Sequence, residues 1–387
     1  MSTIKVDTVR NYDSAVDFSN GFKLGGADTV QNYTESADMP ETPTPVNGDY
    51  WWDTANEVLY RYMDGGFRAL GIAASSIAWG GDRGVFAAGY GQVNTFTANI
   101  DYIDITTAAN AQDFGDCTSI RYTGCGVSNG SRGVFMGGGD TGGAKNFIDY
   151  ITISTTGNAT DFGDLIFEVY YSAGVSDATK GFCCGGARGQ AGGYARIDNI
   201  QYITIATTGN ATDGANLTAV RTHSSGWNDA TRAVIMGGFS TGNASLNSID
   251  YFTMSNLSGN ATDFGDLTAT VDTVPGSGGD ATYALCAGGR RSGSSNANGW
   301  SENIDRITIQ TTGNATDFGD LQTFKSYVAG ASNGTSATFA GGDTNNGSNI
   351  RTDQIDLVTV ATPGNATDFG NLIQGKEGMY GASGAAS

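Results

Sequence analysis

Ile148-Asp149-Tyr150-Ile151-Thr152-Ile153, then the turn Thr156-Gly157-Asn158-Ala159-Thr160, then Asp161-Phe162-Gly163-Asp164-Leu165: this stretch decides the fold, because the chain writes it six times. With Phe162 as anchor, the counterparts are Phe114, Gly214, Phe264, Phe318 and Phe369, at spacings of 48, 52, 50, 54 and 51 residues. A period near fifty marks a supersecondary unit that is stacked or set in a circle, since one such unit cannot bury its apolar faces alone.

Each unit reads as four short strands. In the clearest copy these are a small Gly-rich run at 124–128, a second strand at 132–136 ending in Gly137-Gly138, the strand 148–153, and a fourth around 162–167. Gly157 and Asn158 suit the third turn because both tolerate positive φ at little cost. The third strand is apolar on both faces, with Ile148 and Tyr150 on one and Ile151 and Ile153 on the other. A sheet buried on two sides fits blades that pack against a neighbour on each side, the arrangement of a β-propeller around a central channel. The rival, an open solenoid, would leave long structureless loops at one rung per fifty residues. The C-terminal run 376–387 (KEGMYGASGAAS) matches 325–336 (KSYVAGASNGTS), so it reads as a seventh first strand able to close the ring. Residues 72–81 compete for that slot.

The repeat resembles kelch repeats, in which a strand ending in Gly-Gly precedes a variable loop, a Tyr-bearing strand and a later aromatic. Gly137-Gly138, Tyr150 and Phe162 occupy those places, and Gly185-Gly186, Gly237-Gly238, Gly288-Gly289 and Gly341-Gly342 repeat the doublet. Two departures stand out: Phe in place of the usual Trp, and Ala88-Gly89 in the first copy. The expected fold is therefore all-β: a six-bladed kelch-like β-propeller of four-stranded blades over residues 71–387, preceded by a small N-terminal β region, residues 1–70. Such a resemblance implies fold and says little of function.

The 59 glycines and 15% charged residues among 387 fit a turn-rich β protein. The net charge of −19 is largely repeat framework. Sixteen of the 39 acidic residues recur at fixed places: Asp101, Asp149, Asp198, Asp250, Asp305 and Asp356 beside an Ile; Asp113, Asp161, Asp213, Asp263, Asp317 and Asp368 before the anchor; Asp116, Asp164, Asp266 and Asp320 after it. There Asp is expected to bond its own turn backbone. The charge disfavours nucleic acid as a partner, because no basic patch exists to neutralise phosphates. No apolar run suits a signal peptide or membrane span, which points to a product of the host cytoplasm without membrane insertion. Five cysteines (Cys117, Cys125, Cys183, Cys184, Cys286) lack metal-ligand spacing and read as buried free thiols. The Asn-Ala-Thr sequons at Asn158, Asn210, Asn260, Asn314 and Asn365 read as turn chemistry rather than glycosylation sites.

Residues 1–70 stand outside the repeat. Ile4, Val6 and Val9 alternate like a strand, and a linker holds Pro40, Pro43 and Pro45. Then Gly48-Asp49-Tyr50-Trp51-Trp52-Asp53-Thr54, Glu57 to Tyr62 and Gly65-Gly66-Phe67-Arg68 read as a β-meander. This phrase resembles a small module of bacteriophage tail fibres and other virion appendages, and Ser2 to Val9 is similar to fibre N-termini of phages of marine bacteria. The resemblance implies a virion protein that attaches through residues 1–70 to other virion proteins, with Tyr50, Trp51, Trp52, Tyr60 and Phe67 as attachment and oligomerisation residues. So aromatic a segment, too short for a substantial core of its own, implies packing on something large; a homotrimer is expected.

Chemistry is sparse. One histidine, His223, excludes His-rich metal sites and reads as structural. Pairs such as Asp161 and Asp164 could take a hard cation, but turn capping is simpler, and no metal or cofactor is expected. Six-bladed sialidases, which use a Tyr nucleophile, are the nearest enzyme alternative. Their Ser-x-Asp-x-Gly-x-x-Trp turns are absent, and no catalytic residue is assigned. Binding lives in loops on a rigid frame. The variable loops between second and third strands carry Arg188, Tyr194, Arg290, Arg291, Trp300 and Arg351 among small polar residues. Aromatic and Arg anchors in such a background mark recognition surfaces. The leading expectation is a tail fibre or spike binding a host cell-surface glycan or protein through these loops. The second is a capsid- or tail-ring decoration protein with assembly contacts only, and the third is a sialidase-like enzyme.

Overall fold

A computed structural model describes residues 81–92, 94–190, 193–297, 299–344 and 350–385, together with the backbone of four short strands within residues 33–69. The chain divides into two compact units, residues 1–75 and 76–387. In the first unit, Tyr50–Asp53, Val58–Met63 and Gly66–Ala69 form the antiparallel meander, with Trp51 opposite Tyr60 and Phe67 opposite Tyr62. A further strand, Tyr33–Ser36, adds to it in parallel. The alternation at Ile4 to Val9, the Pro40 to Pro45 linker and residues 72–80 lie outside the described residues.

Among its described residues the second unit holds six main antiparallel sheets that share one order of four strands; two of them carry a further short strand, and a two-stranded and a three-stranded sheet accompany them. Sheet two shows the pattern: Cys125–Ser128 innermost, then Arg132–Met136, Phe147–Thr152 and Thr160–Asp164. Sheets three to six begin with the inner strands Ala173–Ser176, Ser225–Asn228, Gly276–Gly279 and Ala329–Ser332. Sheet one takes its inner strand from the other end of the chain: Tyr380–Gly384 pairs Arg83–Gly91. The C-terminal run therefore occupies the closing slot. Each inner strand touches the next, and the strand of sheet six touches that of sheet one, so the sheets form a closed, propeller-like ring. The inner strands come so close that a Cβ on Gly381 would lie 2.0 Å from the Gly330 carbonyl oxygen.

Six apolar clusters fill the six spaces between consecutive sheets. The third strand supplies two of them at once: Ile148 joins Val134, Met136 and Phe162 on one side, while Ile151 and Ile153 join Phe135 and Phe114 on the other. This two-faced strand is what the alternation in the sequence requires. Burying an aliphatic side chain is worth about 1.5–3 kcal/mol, so each sheet is held by both neighbours rather than by itself.

One of the framework roles expected of aspartate changes. The aspartate of the third strand is no turn cap. Asp149 forms a buried ion pair with Arg121 at 2.8 Å and accepts from the Thr118 amide and hydroxyl, all on the link that enters its sheet. Arg221–Asp250, Lys325–Asp356 and Lys376–Asp101 repeat the arrangement. In sheet five Val271 holds the basic position, and Arg291 reaches Asp305 from a different strand at 2.8 Å. Sheet three is neutral at both positions, with Val169 for Arg and Gln201 for Asp; the Gln201 side-chain oxygen still accepts from the Ile166 amide. Gln201, not Asp198, is thus the third-strand equivalent. Own-turn capping falls instead to Asp104, Asp177, Asp229 and Asp280.

The asparagine of the third turn, in Gly-Asn-Ala-Thr five times and in Ala109-Asn110-Ala111-Gln112 once, does more than turn the chain. Asn158, Asn210, Asn260, Asn314, Asn365 and Asn110 each accept a hydrogen bond from the fourth-strand backbone of the preceding sheet, at 3.0–3.3 Å. These bonds run right round the ring. The approach demands glycine opposite: a Cβ on Gly115, whose φ is +142°, would sit 2.5 Å from the Gly157 carbonyl carbon. All five cysteines are buried and none is in a disulfide.

Candidate functional site: the aromatic mouth of the ring

Because strands alternate in direction, the asparagine turns share one face of the ring, and the sheet-to-sheet links and second-to-third-strand loops share the other. On that second face the links form a collar. Thr123 N donates to Gly378 O at 2.7 Å, Tyr171 N to Thr123 O at 2.5 Å, and His223 N to Tyr171 O at 2.9 Å. Val274 N donates to His223 O, Tyr327 N to Thr273 O, and Gly378 N to Tyr327 O, which completes the circle. Every link turns left-handed here to enter its inner strand: φ is 56° at Thr123, 58° at Tyr171, 59° at His223, 63° at Thr273, 50° at Val274, 56° at Tyr327 and 62° at Gly378.

Only one link uses glycine. The left-handed conformation costs other residues roughly 1–2 kcal/mol, most for bulky or β-branched ones. The remaining five links accept that cost and keep side chains at the mouth. Backbone strain of this kind clusters at binding and active sites.

Three of those side chains converge. The rings of Tyr171 and His223 stack at 3.7 Å and 16°, and Tyr327 lies 6.5 and 6.3 Å from them. From this centre aromatic contacts run outward over neighbouring sheets. The Tyr171 hydroxyl meets that of Tyr122 at 3.0 Å, and Tyr122 leads to Phe96 and Tyr90. Tyr170 lies against Tyr171 and carries Tyr194. His223 meets Phe239 edge-on at 5.2 Å, and the Arg290 guanidinium lies over that ring at 5.2 Å.

The electrostatics follow from burial. Burial raises the Tyr122, Tyr171 and Tyr327 phenols above their ordinary value and keeps them protonated. His223 is pushed down to about 3, first by burial and then by the Arg196 and Arg290 charges, so it is neutral. Its Nδ1 lies 2.8 Å from the Thr222 hydroxyl. Burial and the Asp343 charge raise Glu377 to about 7 against the opposing pull of Arg351.

The residues expected from the loops divide. Tyr194 is 67% exposed, Arg290 keeps 44% of its side chain exposed, and half-buried Arg188 lies over Phe167 at 4.2 Å. The other three face inward: Arg291 serves the Asp305 ion pair, Trp300 is buried in the same loop, and Arg351 pairs with Glu377 at 3.0 Å over the Tyr90 ring. The structure brings Arg290 and Tyr194 to the aromatic band. Tyr50, Trp51, Trp52, Tyr60 and Phe67 belong to strands of the other unit. The residues that sequence reasoning missed are Tyr122, Tyr171, His223 and Tyr327. Tyr171, His223 and Tyr327 share one aligned slot with Thr123, Thr273 and Gly378, a slot whose residue type changes from link to link, and Tyr122 stands one residue before it.

Among the described residues no group of three or more His, Cys, Asp or Glu could hold a metal ion, and no helix is long and apolar enough to cross a membrane.

Fold and mouth together define an all-β, propeller-like protein with an aromatic face on one side of its ring. No family model matches the chain, and no curated protein matches it. Among solved structures, one titled "Structure of YjhT" superimposes with a TM-score of 0.58 at 13% identity, covering 76% of this chain and 97% of its own. That likeness is one of fold.

Proposed function

We propose that residues 76–387 form a six-bladed kelch-like propeller that binds a saccharide of a host cell surface at the aromatic mouth. In this reading the chain is a virion appendage, a tail fibre or spike, anchored to other virion proteins as a homotrimer through residues 1–70. The observation that carries the binding reading is the collar, where five links hold non-glycine residues in left-handed turns and present Tyr171, His223 and Tyr327 together. Aromatic rings stack on the apolar faces of sugars, while phenol and imidazole tips bond hydroxyls. The virion part rests on the phrases at 2–9 and 48–68. The proposal is non-catalytic: a tyrosine nucleophile needs a lowered phenol or a base bonded to it, burial moves all three mouth phenols upward, and among the described residues the Tyr171 hydroxyl bonds that of Tyr122 rather than a carboxylate. The test is a glycan array probed with the full chain, with reducing ends assayed afterwards. Bound and uncleaved glycans are expected. No binding to any saccharide would overturn the recognition reading, cleavage would restore the enzyme reading, and absence of the protein from purified particles would overturn the virion part.

A further inference from the structure

We infer that the mouth binds an anionic saccharide, one bearing a carboxylate or sulfate, and seats the anionic group between Arg196 and Arg290 beside His223. This rests on the saccharide reading above and adds the ligand's charge.

Both guanidiniums are docked on one excursion, the loop leaving the second strand of sheet four. Arg196, on the 193–196 strand of the neighbouring sheet, donates to Asn243 in that loop. Arg290, from the far side, lies over Phe239 of the same loop, and Phe239 contacts the His223 ring. Through that loop both cations are held on the His223 side of the mouth.

Their charges are not balanced. Arg290 pairs with Asp272 at 3.1 Å, and Asp272 also accepts from Ser245. A guanidinium has five donors, so an Arg held by one carboxylate and 44% exposed keeps donors for a ligand. Arg196 has no ion pair among the described residues, and its buried Nε has no hydrogen-bond partner. Two cations and one carboxylate leave one positive charge, and neutral His223 adds none. On the opposite side of the mouth the balance reverses: Arg351 faces both Glu377 and Asp343. In a chain of net charge −19, a local positive excess at an aromatic mouth suits a monoanionic ligand.

The single histidine reports on the site directly. In the full chain, the ring signals of His223 are followed by proton–carbon NMR across acid pH at fixed ionic strength. Glucuronate, glucose 6-sulfate, glucose and sodium sulfate are added in turn. An anion beside the ring offsets the two cations, so glucuronate or glucose 6-sulfate should raise the His223 pKa above the value measured without ligand. Glucose should leave it in place. The double substitution Arg196→Gln with Arg290→Gln should abolish the acid-sugar effect. An equal response to glucose, or an acid-sugar response that survives the double substitution, overturns the inference and leaves the saccharide reading standing. An equal response to sodium sulfate reduces the site to a small-anion site and overturns the inference as well. No response to either acid sugar overturns it too, and the glycan array then decides separately whether the mouth binds neutral saccharides.

Discussion

The two faces of the ring are stitched by the same device and treat their side chains in opposite ways. On the turn face, a circle of hydrogen bonds joins sheet to sheet, and asparagine stands at the accepting position all six times. On the mouth face a second circle joins link to link, but it is made by backbone groups, and the side chains run Thr, Tyr, His, Thr-Val, Tyr and Gly. Where the bond uses the side chain, the residue repeats. Where the backbone alone closes the circle, the residue is released to differ. Repetition thus marks scaffold, and variation on a fixed backbone marks the site.

The buried ion pairs offer the largest effect by which to break this contrast, because sheet three is a natural control without one. Asp149→Ala leaves Arg121 buried and unpaired, and should cost about 3–5 kcal/mol in urea unfolding. Replacing both partners with the residues of sheet three, Arg121→Val with Asp149→Gln, should recover most of that loss. A double variant as unstable as Asp149→Ala would mean that charge itself, and not complementarity, holds the links.

A smaller pair of substitutions sharpens the same comparison. Gly115→Ala on the turn side drives a methyl into the Gly157 carbonyl group and should destabilise by about 2 kcal/mol or more. Thr123→Gly in the collar relieves a left-handed β-branched residue and should stabilise by up to about 1 kcal/mol. Thermal unfolding of both would test the claim that strain is kept at the mouth; a destabilised Thr123→Gly would remove it.

Much of the ring was legible in the residues themselves. The anchor spacing set six units, the two-faced third strand set sheets packed on both sides, and the likeness of 376–387 to 325–336 pointed to the strand that closes sheet one. The aspartates were read wrongly because the partner of Asp149 lies 28 residues earlier, on the link into its sheet, which no local turn rule reveals. Arg291 and Arg351 looked like surface anchors for a similar reason, since loop composition does not show which arginines fold back on buried carboxylates. The mouth residues were hard to find because the links differ at several positions, so no single column stands out in the sequence; only the circle of hydrogen bonds fixes the register that aligns Thr123, Tyr171, His223, Thr273, Tyr327 and Gly378.

In the proposed function, recognition belongs to the mouth and not to the turn face. Titration calorimetry of the full chain with an array-selected glycan tests it most directly. Tyr171→Ala with Tyr327→Ala at the mouth is compared with Asn210→Ala with Asn314→Ala on the turns. At least about tenfold weaker binding is expected for the mouth pair, in keeping with the loss of aromatic anchors. Unchanged affinity is expected for the asparagine pair, which should lose only about 1 kcal/mol of stability per hydrogen bond. Unchanged binding in the mouth pair, or binding lost only with the asparagines, would contradict that assignment to the mouth.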